Sequence, residues 1–211
     1  MINKGIIFDL DGTLWDTSEV VTASWNIALD RRGDIDYKIT VQDMHNLMGL
    51  TLEEIAYAIF PNISKRKAMD IIKECIREED LYIQKYGGKL YPELEKTLKE
   101  LSLKYDLFIV SNCQTGYIEN FLKYHNLGKY FLDFECAGRT KKQKGENIKL
   151  VIERNNLDKA VYIGDTQWDY YATEFAGIPF IHAKYGFGKV NEETYFINEI
   201  SELTLLISKL L

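Results

Sequence analysis

Short apolar runs with no polar alternation recur along this chain, and they limit its fold more than any other feature. They are Gly5-Ile6-Ile7-Phe8, Leu107-Phe108-Ile109-Val110, Phe134-Glu135-Cys136-Ala137, Ala160-Val161-Tyr162-Ile163 and Pro179-Phe180-Ile181. A strand that is apolar on every residue buries both its faces, as in a parallel sheet covered on two sides. Helical patterns separate the runs, at about residues 93–104, 116–124, 146–155 and 168–176. Strand and helix in alternation predict an α/β fold built on a doubly wound parallel sheet.

One interval breaks the alternation. Between the first run and Leu90 the pattern is almost wholly helical. Thr40-x-x-Asp43 and Thr51-x-x-Glu54 read as helix starts, because hydroxyl and carboxylate can satisfy the free N–H groups of a first turn. Ile71, Ile72, Cys75, Ile76 and Ile83 form an apolar stripe on a long helix from about Ser64 to Tyr86. So much helix after one strand is too long for a crossover, and a small helical cap is expected at 16–87. The core would then comprise 1–15 and 88–211, with hinges near Trp15–Thr17 and Tyr86–Lys89. Of 211 residues, 46% are hydrophobic, which is enough for a substantial core, and only three are proline. The formal charge of −6 and the lack of a basic block argue against nucleic acid or an anionic membrane as partner. Three scattered cysteines form neither a disulfide framework nor a zinc spacing. With no signal peptide or membrane span legible, a cytoplasmic protein is expected.

The chemistry gathers at strand ends. The first run delivers Asp9 and Asp11, one residue apart and followed by Gly12-Thr13. The second ends in Ser111-Asn112, and the fourth in Gly164-Asp165-Thr166-Gln167-Trp168-Asp169. Ligands collect at the carboxyl edge of parallel sheets, so these groups should share one site. An Asp-x-Asp alone is more often a turn cap. Several acids at one edge, however, would repel each other unless a hard divalent cation, Mg²⁺ by preference, sat among them. Lys144 lies before an apparent helix start at Gly145-Glu146, while Lys141 and Lys142 compete with it from a charged loop. Carboxylates, a divalent cation, a hydroxyl and a lysine together point to phosphoryl transfer.

These residues resemble the motifs of the haloacid dehalogenase superfamily of phosphohydrolases, in the branch with a helical cap and phosphoglycolate phosphatase-like members. Asp9-Leu10-Asp11-Gly12-Thr13-Leu14 matches the first motif and Ser111-Asn112 the second. Lys144 matches the third, without the Pro-x-Pro that often follows it, and Gly164 to Asp169 the fourth. The resemblance implies a Rossmann-like core and a Mg²⁺-dependent phosphatase acting on a small phosphorylated metabolite. Asp9 would be the nucleophile that forms an aspartyl-phosphate, and Asp11 the general acid and base. Ser111, Asn112 and Lys144 would hold the phosphoryl group. The metal would be held by Asp9, the backbone carbonyl of Asp11, Asp165 and, less directly, Asp169.

Other chemistries leave different residues. Dehalogenases and phosphonate-cleaving members lack the second acid, present here as Asp11. A sugar phosphomutase would carry a histidine where this chain has Val21 and an arginine where it has Leu52. That reading stands second, with a non-catalytic phospho-ligand-binding protein behind it. A receiver domain would need a phosphorylatable Asp about 45 residues after the acidic pair, where this chain is helical. Cys113 and His45 read as packing residues, as do Tyr170 and Tyr171. Neither the substrate nor the oligomeric state is legible.

Overall fold

In a computed structural model, which describes residues 2–192 and 194–211, the first strand β1 (Lys4–Phe8) leads into a two-residue strand β2 (Trp15–Asp16). The helices α1 (Ser18–Arg32), α2 (Val41–Leu47), α3 (Leu52–Ile59) and α4 (Lys65–Tyr86) follow. Strand β3 (Lys89–Leu90) pairs antiparallel with β2, so the helical segment leaves and re-enters through one short ribbon. Then come α5 (Leu94–Leu101), β4 (Asp106–Ser111), α6 (Tyr117–Tyr124), β5 (Phe131–Cys136), α7 (Ala137–Thr140) and α8 (Lys144–Arg154). The chain closes with β6 (Lys159–Gly164), α9 (Gln167–Ala176), β7 (Phe180–Ala183), β8 (Tyr195–Ile197) and α10 (Leu203–Leu210).

Six strands make one parallel sheet in the order β5-β4-β1-β6-β7-β8. Alternate residues of each strand enter two separate apolar clusters. Ile6, Phe8, Ile109 and Ile163 pack on one face, and Ile7, Phe108, Val110 and Tyr162 on the other. This two-sided burial explains the missing polar alternation. After β1 the chain winds to β4 and β5 on one side, then crosses to β6 and β7 on the other. The winding therefore reverses between β1 and β6, and a crevice opens beyond their carboxyl ends.

Local chemistry sets the helix starts. Thr40 with Asp43 and Thr51 with Glu54 form the expected reciprocal caps of α2 and α3, and the Ser64 hydroxyl caps α4. The apolar stripe of α4 lies against α1, with Ile71, Ile72, Cys75 and Ile83 buried. The third apolar run begins three residues before its expected position, because Phe131 pairs beside Leu107. Lys144 is the first residue of α8 rather than the residue before it, since Gln143 supplies the cap. β8, α10 and the β2–β3 ribbon had no sequence signal of their own. Among the described residues, no helix is long and apolar enough to cross a membrane.

Candidate active site

The carboxyl ends of β1 and β6 bring Asp9 and Asp165 together at the reversal point, and the first turn of α9 adds Asp169. One carboxylate oxygen from each lies within 4.8 Å of the other two, and all three residues are buried. Lys144 Nζ, also buried, donates to Asp9 Oδ1 at 2.9 Å and to Asp169 Oδ1 at 2.6 Å. Lys141 and Lys142 are exposed, and Lys141 donates to the Gly138 carbonyl instead.

Each acid is held differently. Asp169 is saturated by the protein: its Oδ2 accepts from the Thr166 N–H and hydroxyl, while Lys144 and the Tyr162 hydroxyl occupy Oδ1. Asp165 Oδ2 accepts from the N–H groups of Phe187 and Gly188, yet its Oδ1 is buried with no partner among the described residues. Asp11 turns away from this trio. Its Oδ1 accepts from the Thr17 hydroxyl at 2.9 Å and the Tyr117 hydroxyl at 3.0 Å.

The electrostatics follow from burial. Desolvation raises Asp9 to about 7 against the opposing charge of Lys144. Desolvation also lifts Asp11 to about 6, although hydrogen bonds from Thr17 and Tyr117 pull it down. Asp165 is raised strongly, first by burial and then by the charges of Asp169 and Asp9. Burial disfavours the Lys144 ammonium, but Asp169 and Asp9 outweigh it and keep the lysine charged.

An unpartnered buried carboxylate oxygen beside two further carboxylates is a poor arrangement for a protein alone, and a good one for a hard cation with oxygen ligands. The walls are shaped for close approach. A Cβ on Gly12, whose φ is +79°, would fall 2.3 Å from Asp165 Oδ2, and one on Gly186 would meet the Gly12 carbonyl at 2.4 Å. Only glycine fits the first position, both for its backbone and for its space.

Asp9, Asp11, Ser111 and Asn112 line one small cavity of about 60 Å³, roofed by the loop between α2 and α3 and by α4. Ser111 is buried and its hydroxyl accepts from the Cys113 N–H. The Asn112 side chain also reaches across the crevice, its Nδ2 donating to the Gly49 carbonyl at 2.9 Å. His45 on α2 stacks on Phe187 at 4.7 Å, so it packs. Tyr171 does not pack on the sheet as expected; with Trp168 and Phe175 it faces outward from α9, while Tyr170 joins the buried face.

Several contributors had gone unread. Thr17 and Tyr117 aim Asp11, and Tyr162 touches Asp169. Thr166 carried a usable signal, since Thr166-x-x-Asp169 has the spacing of a helix-capping pair. Phe187 and Gly188 reach Asp165 through backbone N–H groups, and Gly188 must be small, since a Cβ there would meet the Asp165 carbonyl at 2.6 Å.

The sequence profile of the haloacid dehalogenase-like hydrolases matches residues 6–183. A phosphoglycolate phosphatase from Aquifex aeolicus is 28% identical over 89% of this chain and 88% of its own. Among solved structures, a haloacid dehalogenase-like hydrolase from Streptococcus pneumoniae superposes with a TM-score of 0.80 at 24% identity, over 98% of both chains. CbbY from Rhodobacter sphaeroides, solved in complex with xylulose-(1,5)-bisphosphate, gives 0.79 at 17% identity over 96% of each. The profile spans Asp9, Asp11, Asp165 and Asp169, so the chain belongs to the haloacid dehalogenase-like hydrolases and is a phosphohydrolase of that family.

Proposed function

We propose that the protein is a Mg²⁺-dependent phosphatase that hydrolyses a small phosphate monoester through an aspartyl-phosphate on Asp9. The observation that carries this reading is the buried Asp9–Lys144–Asp169 bridge beside the unpartnered Asp165 oxygen. Asp9, the backbone carbonyl of Asp11 and Asp165 would hold the cation, with Asp169 behind them, already saturated by protein donors. When bound, Mg²⁺ supplies positive charge that offsets the repulsion between the Asp9 carboxylate and a phosphate dianion.

The residues divide the remaining work. Lys144 holds one oxygen of Asp9, which orients the carboxylate and leaves its other oxygen to attack phosphorus. The ester P–O bond breaks as the Asp9 O–P bond forms, and Asp11 gives its proton to the departing alkoxide. Burial favours that protonated form, and Thr17 and Tyr117 fix its direction. Asp11, now ionised, takes a proton from water as water attacks the aspartyl-phosphate, releasing phosphate and restoring both carboxyl groups. Ser111 and one amide N–H of Asn112 receive the phosphoryl oxygens from the opposite wall.

Residues 16–87 serve as the cap, with core residues 1–15 and 88–211 beneath, and closure excludes water before Asp9 reacts. Asp11 favours the hydrolase over chemistries that dispense with a second acid, and Val21 and Leu52 leave the phosphomutase reading without its residues.

The test is release of inorganic phosphate from a panel of small esters with Mg²⁺ and with EDTA. Wild type should turn over only with the metal, and Asp9→Asn should lose on the order of 10³-fold or more in kcat while still melting cooperatively. Turnover that survives in Asp9→Asn would overturn the covalent mechanism.

A further inference from the structure

One charged group of the cavity has no part in that chemistry. Glu79 comes down from α4 in the helical segment, is 5% exposed, and lines the same space as Asp9, Asp11 and Ser111. Its two oxygens are held by neutral donors. Trp25 Nε1 donates to Oε2 at 2.5 Å, and Gln114 Nε2, from the loop after β4, donates to Oε1 at 2.7 Å. The next residue up the helix is treated otherwise, because Glu78 is paired with Arg31. Among the described residues Glu79 has no cation partner, and no Lys, Arg or His lines the cavity. Lys144, the nearby buried cation, is already committed to Asp9 and Asp169.

A buried carboxyl group without a counter-cation costs stability unless a ligand satisfies it. Each oxygen keeps a lone pair beyond the one its protein donor uses, so it can accept a further hydrogen bond. The wall that the helical segment gives the cavity, including Val21, Leu47 and Ile55, is otherwise apolar, and the donors Ser111 and Asn112 line it from the core beside Asp9. We propose that Glu79 is a specificity-determining residue, and that the substrate is a short phosphate monoester ending in an ammonium or hydroxyl donor rather than in a carboxylate or second phosphate. This rests on the phosphatase reading above and narrows its substrate class. The donor end would lie against Glu79 with the phosphate at Asp9, and a carboxylate end would meet a like charge in a space with no compensating cation.

Four esters measured with Mg²⁺ at about pH 8.5, where Glu79 is ionised, test it: 2-aminoethyl phosphate, 2-hydroxyethyl phosphate, phosphoglycolate, and p-nitrophenyl phosphate as a general reporter. The first three share a two-carbon body and differ in the end group. Wild type should favour the amino or hydroxyl ester over phosphoglycolate by roughly 10²-fold in kcat/KM, and the faster of those two names the end group. In Glu79→Gln, which keeps the shape and removes the charge, that ratio should shrink to about tenfold or less. A role confined to tying the helical segment to Gln114 would lower all esters alike and leave the ratio unchanged, which would overturn the proposal. So would phosphoglycolate matching or exceeding the other two in wild type, or turnover of p-nitrophenyl phosphate with none of the three. The wild-type ranking decides the matter even if Glu79→Gln fails to fold. Absence of turnover on all four would instead defeat the phosphatase reading itself.

Discussion

Asp165 shows how one residue type is divided by its surroundings. Its Oδ2 is satisfied by two backbone N–H groups, while its Oδ1 is buried without a donor among the described residues, and one of its oxygens lies within 4.8 Å of Asp9 and Asp169. Asp169, four residues on, has every need met by Thr166, Lys144 and Tyr162. Sequence pattern puts both at the same edge, but only the direction of each carboxylate separates the one with a free oxygen from the one whose oxygens are both held. A cation that binds the folded state alone stabilises it by about 2.7 kcal/mol at a hundredfold excess over its Kd. Mg²⁺ should therefore raise the wild-type Tm, and Asp165→Asn should lose at least half of that rise. An undiminished Mg²⁺ shift in Asp165→Asn would remove Asp165 from the ligand set.

At the scale of elements, the β2–β3 ribbon matters more than its two-residue strands suggest. It carries the chain into and out of the helical segment, and Thr17, directly after β2, donates to Asp11. Gly88 packs against the ribbon so closely that a Cβ there would meet Thr17 Cγ2 at 2.6 Å, Trp15 at 2.8 Å and the Asp16 carbonyl at 3.0 Å. Gly88→Ala should therefore push Thr17 off Asp11. The expected result is a loss of about 1–3 kcal/mol in stability, measured by urea unfolding, together with a drop in kcat larger than any rise in KM. Unchanged kcat in the folded variant would mean that Thr17 does not aim the acid. α9 couples structure and site in the same way, since the Thr166–Asp169 pair that starts the helix also anchors Lys144.

Across the whole molecule, three polar or aromatic bridges among the described residues, besides the contacts of Thr17, join the helical segment to the core. These are Asn112 to Gly49, Gln114 to Glu79, and His45 stacked on Phe187. The middle bridge has an electrostatic consequence. Burial pushes Glu79 from 4.5 to about 7, with its hydrogen bonds from Gln114 and Trp25 opposing. Between those values the folded state keeps a proton that the unfolded chain has released, so stability falls as pH rises from about 4.5 to 7. The full effect is on the order of 3 kcal/mol as an upper bound. The decline in Tm from pH 5 to pH 8 in metal-free protein should thus be shallower in Glu79→Gln than in wild type. Equal slopes would show that Glu79 titrates normally.

The apolar runs and the helix-capping pairs are local, so the parallel sheet, α2, α3 and α4 were all legible from residue order. The gathering of Asp9, Ser111 and Asp165 at one edge was legible too, because strand ends in a doubly wound sheet converge there, whereas the choice of Lys144 over Lys141 and Lys142 was not. Other features depend on contacts between residues far apart in the chain. Tyr117 reaches Asp11 across 106 positions, Lys144 reaches Asp9 across 135, and Phe187 and Gly188 reach Asp165 with backbone alone. Glu79 has no sequence signal of its own, and only the packing of α4 turns it into the cavity. Periodicity and motif spacing determine which elements form and which edge holds the chemistry. The direction of each side chain at that edge is decided by tertiary packing, because burial and partner geometry are set only when distant segments meet.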